Sequence, residues 1–173
     1  SFSDVALALK VANGAVDGHL TRLSMYGGTG TARLIADGSR ATPQIAVDLN
    51  VQNIQAEPLL KDAIGFDRIT GRGRLQVTLA GAGRSQAALM HALHGNAAFS
   101  FNDGAFKGVN LAAVARSIQS ALSGAAIGPG ASTDFAELGA TFTVANGAAA
   151  TVDLHLLNPF FRVDGQGLIN IGE

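Results

Sequence analysis

Strict two-residue alternation dominates this chain and sets most of what it can fold into. In Gln44–Gln52, Ile45, Val47, Leu49 and Val51 alternate with Ala46, Asp48, Asn50 and Gln52. Successive side chains of a strand point to opposite faces, so this pattern marks a sheet with one apolar face and one polar face. The same period recurs in Val5, Leu7, Leu9 and Val11, in Leu75, Val77 and Leu79, in Phe99 and Phe101, and in Ala140, Phe142 and Val144. It returns in Val152, Leu154 and Leu156, and in Phe161, Val163, Ile169 and Ile171. Turn dipeptides punctuate these runs. Asn13-Gly14 and Asn146-Gly147 supply the positive φ angles of two-residue hairpins, and Asp103-Gly104 reads as a third turn of this kind. Asp17-Gly18 reads as a bulge or kink, and Gly27-Gly28 as a turn.

Helical signals are fewer. Glu57–Gly65 reads as a short helix, with Pro58 in its first turn and glycine after its end. Arg84–His94 reads as a helix capped by Ser85, with Ala88, Leu89, Ala92 and Leu93 on one side. The strongest signal follows Asn110, where Leu111, Val114, Ile118 and Leu122 form one stripe. Gly124–Ser132, with Gly-Pro-Gly, reads as a loop.

The expected fold is therefore α+β and β-rich. It has curved antiparallel sheet of about nine or ten strands, two longer helices and one short helix packed on the apolar face. A helix is roughly 10–12 Å wide and strands lie about 4.8 Å apart, so each helix covers about two strands. Three helices cannot cover the apolar side of ten strands. Either the sheet folds on itself, or part of its apolar face is left for a ligand or partner.

Composition narrows the function. Of 173 residues, 47% are hydrophobic and 14% are charged, and the net charge is −1. Nine arginines and three lysines are scattered, so no basic surface for nucleic acid is expected. With no cysteine, disulfides, thiolate nucleophiles and cysteine-based metal sites are excluded. No apolar run approaches the roughly 18 residues of a membrane-spanning helix. Because the chain starts at Ser1, it is expected to be a piece of a longer protein with its membrane anchor outside these residues.

No motif supports catalysis. His91 and His94 share a predicted helix face but lack a third ligand, and Gly81-Ala82-Gly83 lacks the rest of a phosphate-binding fingerprint. Gly-x-Ser-x-Gly is absent. The expectation is a non-enzyme with no catalytic residues, no metal and no cofactor. Val11-Ala12-Asn13-Gly14-Ala15 recurs as Val144-Ala145-Asn146-Gly147-Ala148, a duplicated hairpin or a repeated turn chemistry.

Three segments carry a family resemblance: Ala98–Leu111 (AFSFNDGAFKGVNL), Thr133–Gly147 (TDFAELGATFTVANG) and Leu157–Ile171 (LNPFFRVDGQGLINI). In order and spacing they resemble the C-terminal region of the AsmA family. On that reading 1–173 is a single domain, with 1–40 a β-hairpin lead-in and 41–173 the family-like region. The resemblance implies a Gram-negative envelope protein held in the inner membrane by an N-terminal helix, acting on its periplasmic side in outer-membrane biogenesis. It also implies similarity to bridge-like lipid-transfer proteins, whose curved sheets hold phospholipid tails on an apolar floor. The expected partners are phospholipid acyl chains, the membrane through that anchor and an envelope protein, with no nucleic acid. The lipid-facing candidates are Phe99, Phe101, Phe142, Val144, Leu154 and Leu156. The competing expectation is a protein-interaction module that assists outer-membrane protein assembly or regulates protein targeting to the membrane.

Overall fold

The structure, a computed structural model, describes residues 2–108 and 131–171. Their strands form one open antiparallel sheet of nine strands in sequence order. These are β1 (Phe2–Ala12), β2 (Ala15–Met25), β3 (Gly28–Asp37), β4 (Gln44–Gln55), β5 (Arg72–Ala82), β6 (His94–Lys107), β7 (Ser132–Ala145), β8 (Ala148–Asn158) and β9 (Phe161–Asn170). The described helices are α1 (Ala56–Ile64), between β4 and β5, and α2 (Gln86–His91), between β5 and β6. The predicted helix after Asn110 and most of the Gly124–Ser132 loop lie outside the described residues. Ser132 itself begins β7.

Turn chemistry explains the meander. Asn13 and Gly14 have φ of 51° and 77°, and Asn146 and Gly147 have 51° and 76°. Both pairs therefore adopt the mirror-image turn whose twist matches flanking strands. The turn between β2 and β3 falls on Tyr26 and Gly27, at 47° and 75°, one residue before the expected Gly27-Gly28. Asp103-Gly104 makes no hairpin. Asp103 is left-handed at 49°, but β6 runs through it and pairs with β7 on both sides, from Asn102↔Glu137 to Gly104↔Phe135. Asp tolerates this conformation as a single residue inside a strand.

The expected bulge at Asp17-Gly18 is also absent, since both residues pair in regular register with Lys10 and Leu9. Register breaks instead between Leu20 and Leu23, between Gln52 and Ile54, and between Thr151 and Leu154. Each break shifts the alternation by one residue. As a result Leu23, Ile54 and Leu154 fall on the same face as the apolar residues before them. Without the breaks they would point into the polar face.

The helices are short. Gly65 closes α1 in the left-handed conformation, donating to Lys61 O at 2.9 Å while Phe66 N–H donates to Leu60 O at 3.2 Å. This two-bond C-terminal cap satisfies carbonyls that the last turn leaves open. Ser85 Oγ accepts from Ala88 N–H at 3.1 Å and caps α2, as expected. The expected helix to His94 stops at His91 because β6 begins at His94. α1 lies against β4 and α2 against β5, at opposite ends of the strands.

Candidate functional site: the apolar face of the sheet

Cross-strand pairing assembles the apolar residues into rows running perpendicular to the strands. One row is Leu23, Gly30, Val51, Leu75, Phe99 and Ala140. The next is Leu7, Leu20, Ala32, Leu49, Val77, Ala97 and Phe142. A third contains Leu9, Gly18, Leu34, Val47, Leu79, Gly95, Val144, Ala149 and Ile169. Directly opposed residues share a face, so these rows form one continuous apolar surface.

The two ends of this surface are packed. At one end Leu23, Val51, Ile54, Ala56, Phe101, Phe135, Leu138 and Leu156 form a buried cluster, with Leu59 and Leu60 of α1 against it. At the other, Leu93, just after α2, joins Val144 and Ala149, with Leu79, Phe142 and Ile171 alongside. Between them the surface is more open. Val47, Leu49, Leu75 and Val77 are half-buried, and Leu34 is 49% exposed. Towards the β1 edge, Leu7, Leu9 and Val11 are 59%, 60% and 65% exposed. Val163 and Ile169 of β9 are exposed at the other edge.

The six residues singled out from sequence all lie on this face, in two states. Phe101, Val144 and Leu156 are buried in the end clusters. Phe99, Phe142 and Leu154 are half-buried. Phe99 links the two groups: its ring centroid lies 5.4 Å from that of Phe101 and 6.3 Å from that of Phe142. Val152, expected to share a face with Leu154 and Leu156, does not. The register break separates it from them and leaves it 84% exposed. The exposed residues of this face, Leu34 in the middle, Leu7, Leu9 and Val11 of β1, and Val163 and Ile169 of β9, are none of the six.

The opposite face is polar. A furrow of about 850 Å³ crosses it from β2 to β7. Its lining comes in polar–apolar–polar triplets such as Asp48-Leu49-Asn50, Gln76-Val77-Thr78 and Thr141-Phe142-Thr143. The middle residue of each triplet sends its side chain to the other face, so the furrow lies between two ladders of polar side chains. Within it the Arg33 guanidinium is already held by Asp17, at 3.1 and 2.8 Å, and that ion pair holds the Asp17 carboxyl below the usual range. Beside the furrow, His155 Nδ1 lies 2.9 Å from Asp153 O and Nε2 lies 3.5 Å from Glu137. The Asp153 carbonyl, and then Glu137, raise the His155 pKa. His91 and His94 do not share a helix, because His94 is the first residue of β6. Among the described residues no group of three or more His, Asp or Glu is placed to hold a metal ion.

Among the described residues no helix is long and apolar enough to cross a membrane. No curated protein and no solved structure matches the chain. The AsmA family profile matches residues 1–154, which takes in the first hairpins as well as the strand–helix–strand centre. That family is a membrane-associated envelope family linked to outer-membrane biogenesis. A match over most of the sheet, from β1 into β8, shows that the chain belongs to the AsmA family.

Proposed function

We propose that this domain binds phospholipid through the apolar face of its sheet and takes part in outer-membrane biogenesis as a lipid-binding or lipid-conducting element without catalytic activity. In this reading it works on the periplasmic side of the inner membrane. The observation that carries the proposal is the middle of the face, where Leu34 is 49% exposed and Val47 and Val77 are half-buried, between two packed ends. Soluble proteins seldom expose a contiguous apolar surface of this kind without a ligand or partner for it.

The dimensions suit an acyl chain. The row from Leu7 to Phe142 crosses seven strands, a span of about 29 Å at strand spacing. One leaflet of a bilayer is about 15 Å of hydrocarbon, half of the whole core. Each methylene fully removed from water on such a surface contributes about 0.8 kcal/mol, so a single chain has ample driving force. The buried residues Phe101, Val144 and Leu156 then serve as the floor that fixes the sheet, while Phe99, Phe142 and Leu154 border the lipid.

Native mass spectrometry and lipid extraction of the protein purified from a bacterial envelope test this reading. Co-purifying phospholipid is expected. Protein free of lipid, with its apolar face covered by another polypeptide, overturns it in favour of a protein-interaction module.

A further inference from the structure

The polar face of the sheet is bonded to itself at its sides and unbonded in its middle. At β2–β3 and at β7–β9 its polar side chains hold one another: Arg33 and Asp17 at 3.1 and 2.8 Å, Thr141 and Asp153 at 2.7 Å, Arg162 and Asp164 at 2.7 Å. In the middle, Asn50 and Gln76 are direct cross-strand partners, and so are Thr78 and Asn96. Side chains so placed are near enough to bond one another. Among the described residues none of these four makes a side-chain hydrogen bond, and neither do Thr31 and Thr143. All six are exposed, and all six line the furrow of about 850 Å³ that crosses the face.

Strand pairing sets the walls of this furrow. Arg33, Asp48, Thr78, Asn96 and Thr143 form one ladder, and Thr31, Asn50, Gln76, Ala98 and Thr141 form the other. The ladders stand two residues apart along each strand, roughly 7 Å. The floor between them is the backbone of Leu49, Val77 and Ala97, whose side chains point to the other face.

The chemistry of the walls selects an occupant. Asn and Gln side chains donate and accept, and a Thr hydroxyl does both. Arg33, the one arginine or lysine in the lining among the described residues, is already held by Asp17 and faces Asp48 across the ladder. A phosphate-rich or acidic partner therefore finds no free cation here. Peptides dock on sheet edges, in apolar or aromatic grooves, or on cation clusters. The furrow lies inside the sheet, where the backbone is paired, and apart from Ala98 both ladders are polar. An uncharged chain of hydroxyl groups complements both walls. Strands lie about 4.8 Å apart, close to the length of one sugar in an extended β-1,4-linked glycan, so successive sugars meet successive strands.

We propose that this furrow binds an uncharged, extended glycan laid across the strands, with Asn50, Gln76, Thr78 and Asn96 hydrogen-bonding its hydroxyls. From β2 to β7 there is a span of about 24 Å at strand spacing, with room for about five sugars. The site lies on the side of the sheet opposite the lipid-binding surface, and either can hold or fail without the other.

Isothermal titration of the purified chain with chitopentaose, an uncharged β-1,4-linked oligosaccharide, tests the site. Saturable one-to-one binding is expected. Gln76→Ala and Asn96→Ala remove exposed side chains, one from each ladder, and leave the apolar clusters untouched. Each is expected to weaken binding about 2- to 10-fold, the net worth of one hydrogen bond, with an unchanged melting temperature. Gln52→Ala, exposed on the same face but outside the lining, is expected to bind like the parent. No saturable binding by the parent, or binding that Gln76→Ala and Asn96→Ala both leave unchanged, overturns the proposal. Equal or tighter binding of a five-residue serine peptide also overturns it, in favour of a peptide site.

Discussion

Thr141 donates both its backbone N–H and its hydroxyl to the carboxylate of Asp153, at 2.8 and 2.7 Å, where the β7–β8 ladder loses its register. Asp153 also accepts from the Thr151 hydroxyl at 3.0 Å. The carboxylate stands in for the strand backbone that the break removes from Thr141. It thereby holds the shift that puts Leu154 and Leu156 on the apolar face.

The Thr141 hydroxyl, with its N–H, holds the Asp153 carboxyl below its ordinary value of 3.8. A lowered carboxyl stabilises the fold above that ordinary value and loses its contribution as pH falls through the lowered one. Asp153→Asn turns an amide group towards donors, so its melting temperature should fall below that of the parent at neutral pH. The gap should close in acid. Thermal melts from pH 7 to about 2 check this against the carboxyl's titration range, and a gap independent of pH would remove the carboxylate from the account.

His155 acts in the opposite sense. Its pKa is raised from 6.5, first by the Asp153 carbonyl and then by Glu137. Its contribution is complete below the ordinary value and is lost as pH rises through the raised one. His155→Gln should flatten the loss of stability on the alkaline side of neutrality and leave the acid limb governed by Asp153 unchanged. Denaturation midpoints measured across pH 5–9, the range around an imidazole's titration, separate the two limbs.

Glycine is required at Gly73 for close approach. A Cβ built there would lie 1.8 Å from Ser100 O and 2.7 Å from Phe101 Cα in the paired strand. Gly73→Ala should therefore cost at least about 1–3 kcal/mol, the usual range for overpacking. At Gly167 a Cβ meets nothing within 4 Å, and Gly167→Ala should be neutral or stabilising by up to about 1 kcal/mol. Urea unfolding of the two variants checks the contrast, and similar losses at both positions would contradict it.

Packing and lipid binding should separate by position along the apolar rows. Phe101 is 3% exposed, so Phe101→Ala should cost about 3–5 kcal/mol. Leu34 is 49% exposed, and Leu34→Asp should leave the fold intact while lowering the phospholipid recovered with the protein. Paired denaturant and lipid-extraction measurements distinguish them. A folded Leu34→Asp protein with a full lipid load would place the ligand elsewhere.

Much of the sheet was legible because its strands report their faces two residues at a time. The alternation from Ile45 to Val51, and the Asn-Gly turns at 13–14 and 146–147, lead directly to observed strands and hairpins. What misled was the assumption that alternation continues unbroken. The left-handed Asn53 sets Ile54 on the apolar face, fully buried, after a strand that period counting ends near Gln52. The break before Leu154 likewise removes Val152 from the face it was assigned to. Asp103-Gly104 carries hairpin chemistry, yet the strand continues because β7 offers partners on both sides of it. The candidate face was legible as a stripe. Which of its residues are open was not, because exposure depends on where the short helices α1 and α2 end.

Photo-crosslinking at two adjacent residues tests lipid binding by the apolar face most directly. Val77 faces the apolar side and Gln76 the polar side of the same strand, β5. With a photoreactive amino acid at each position in turn, and the protein expressed in a bacterial envelope, phospholipid adducts are expected from position 77 and not from position 76. Equal labelling at both positions, or none at 77, would contradict lipid binding by this face.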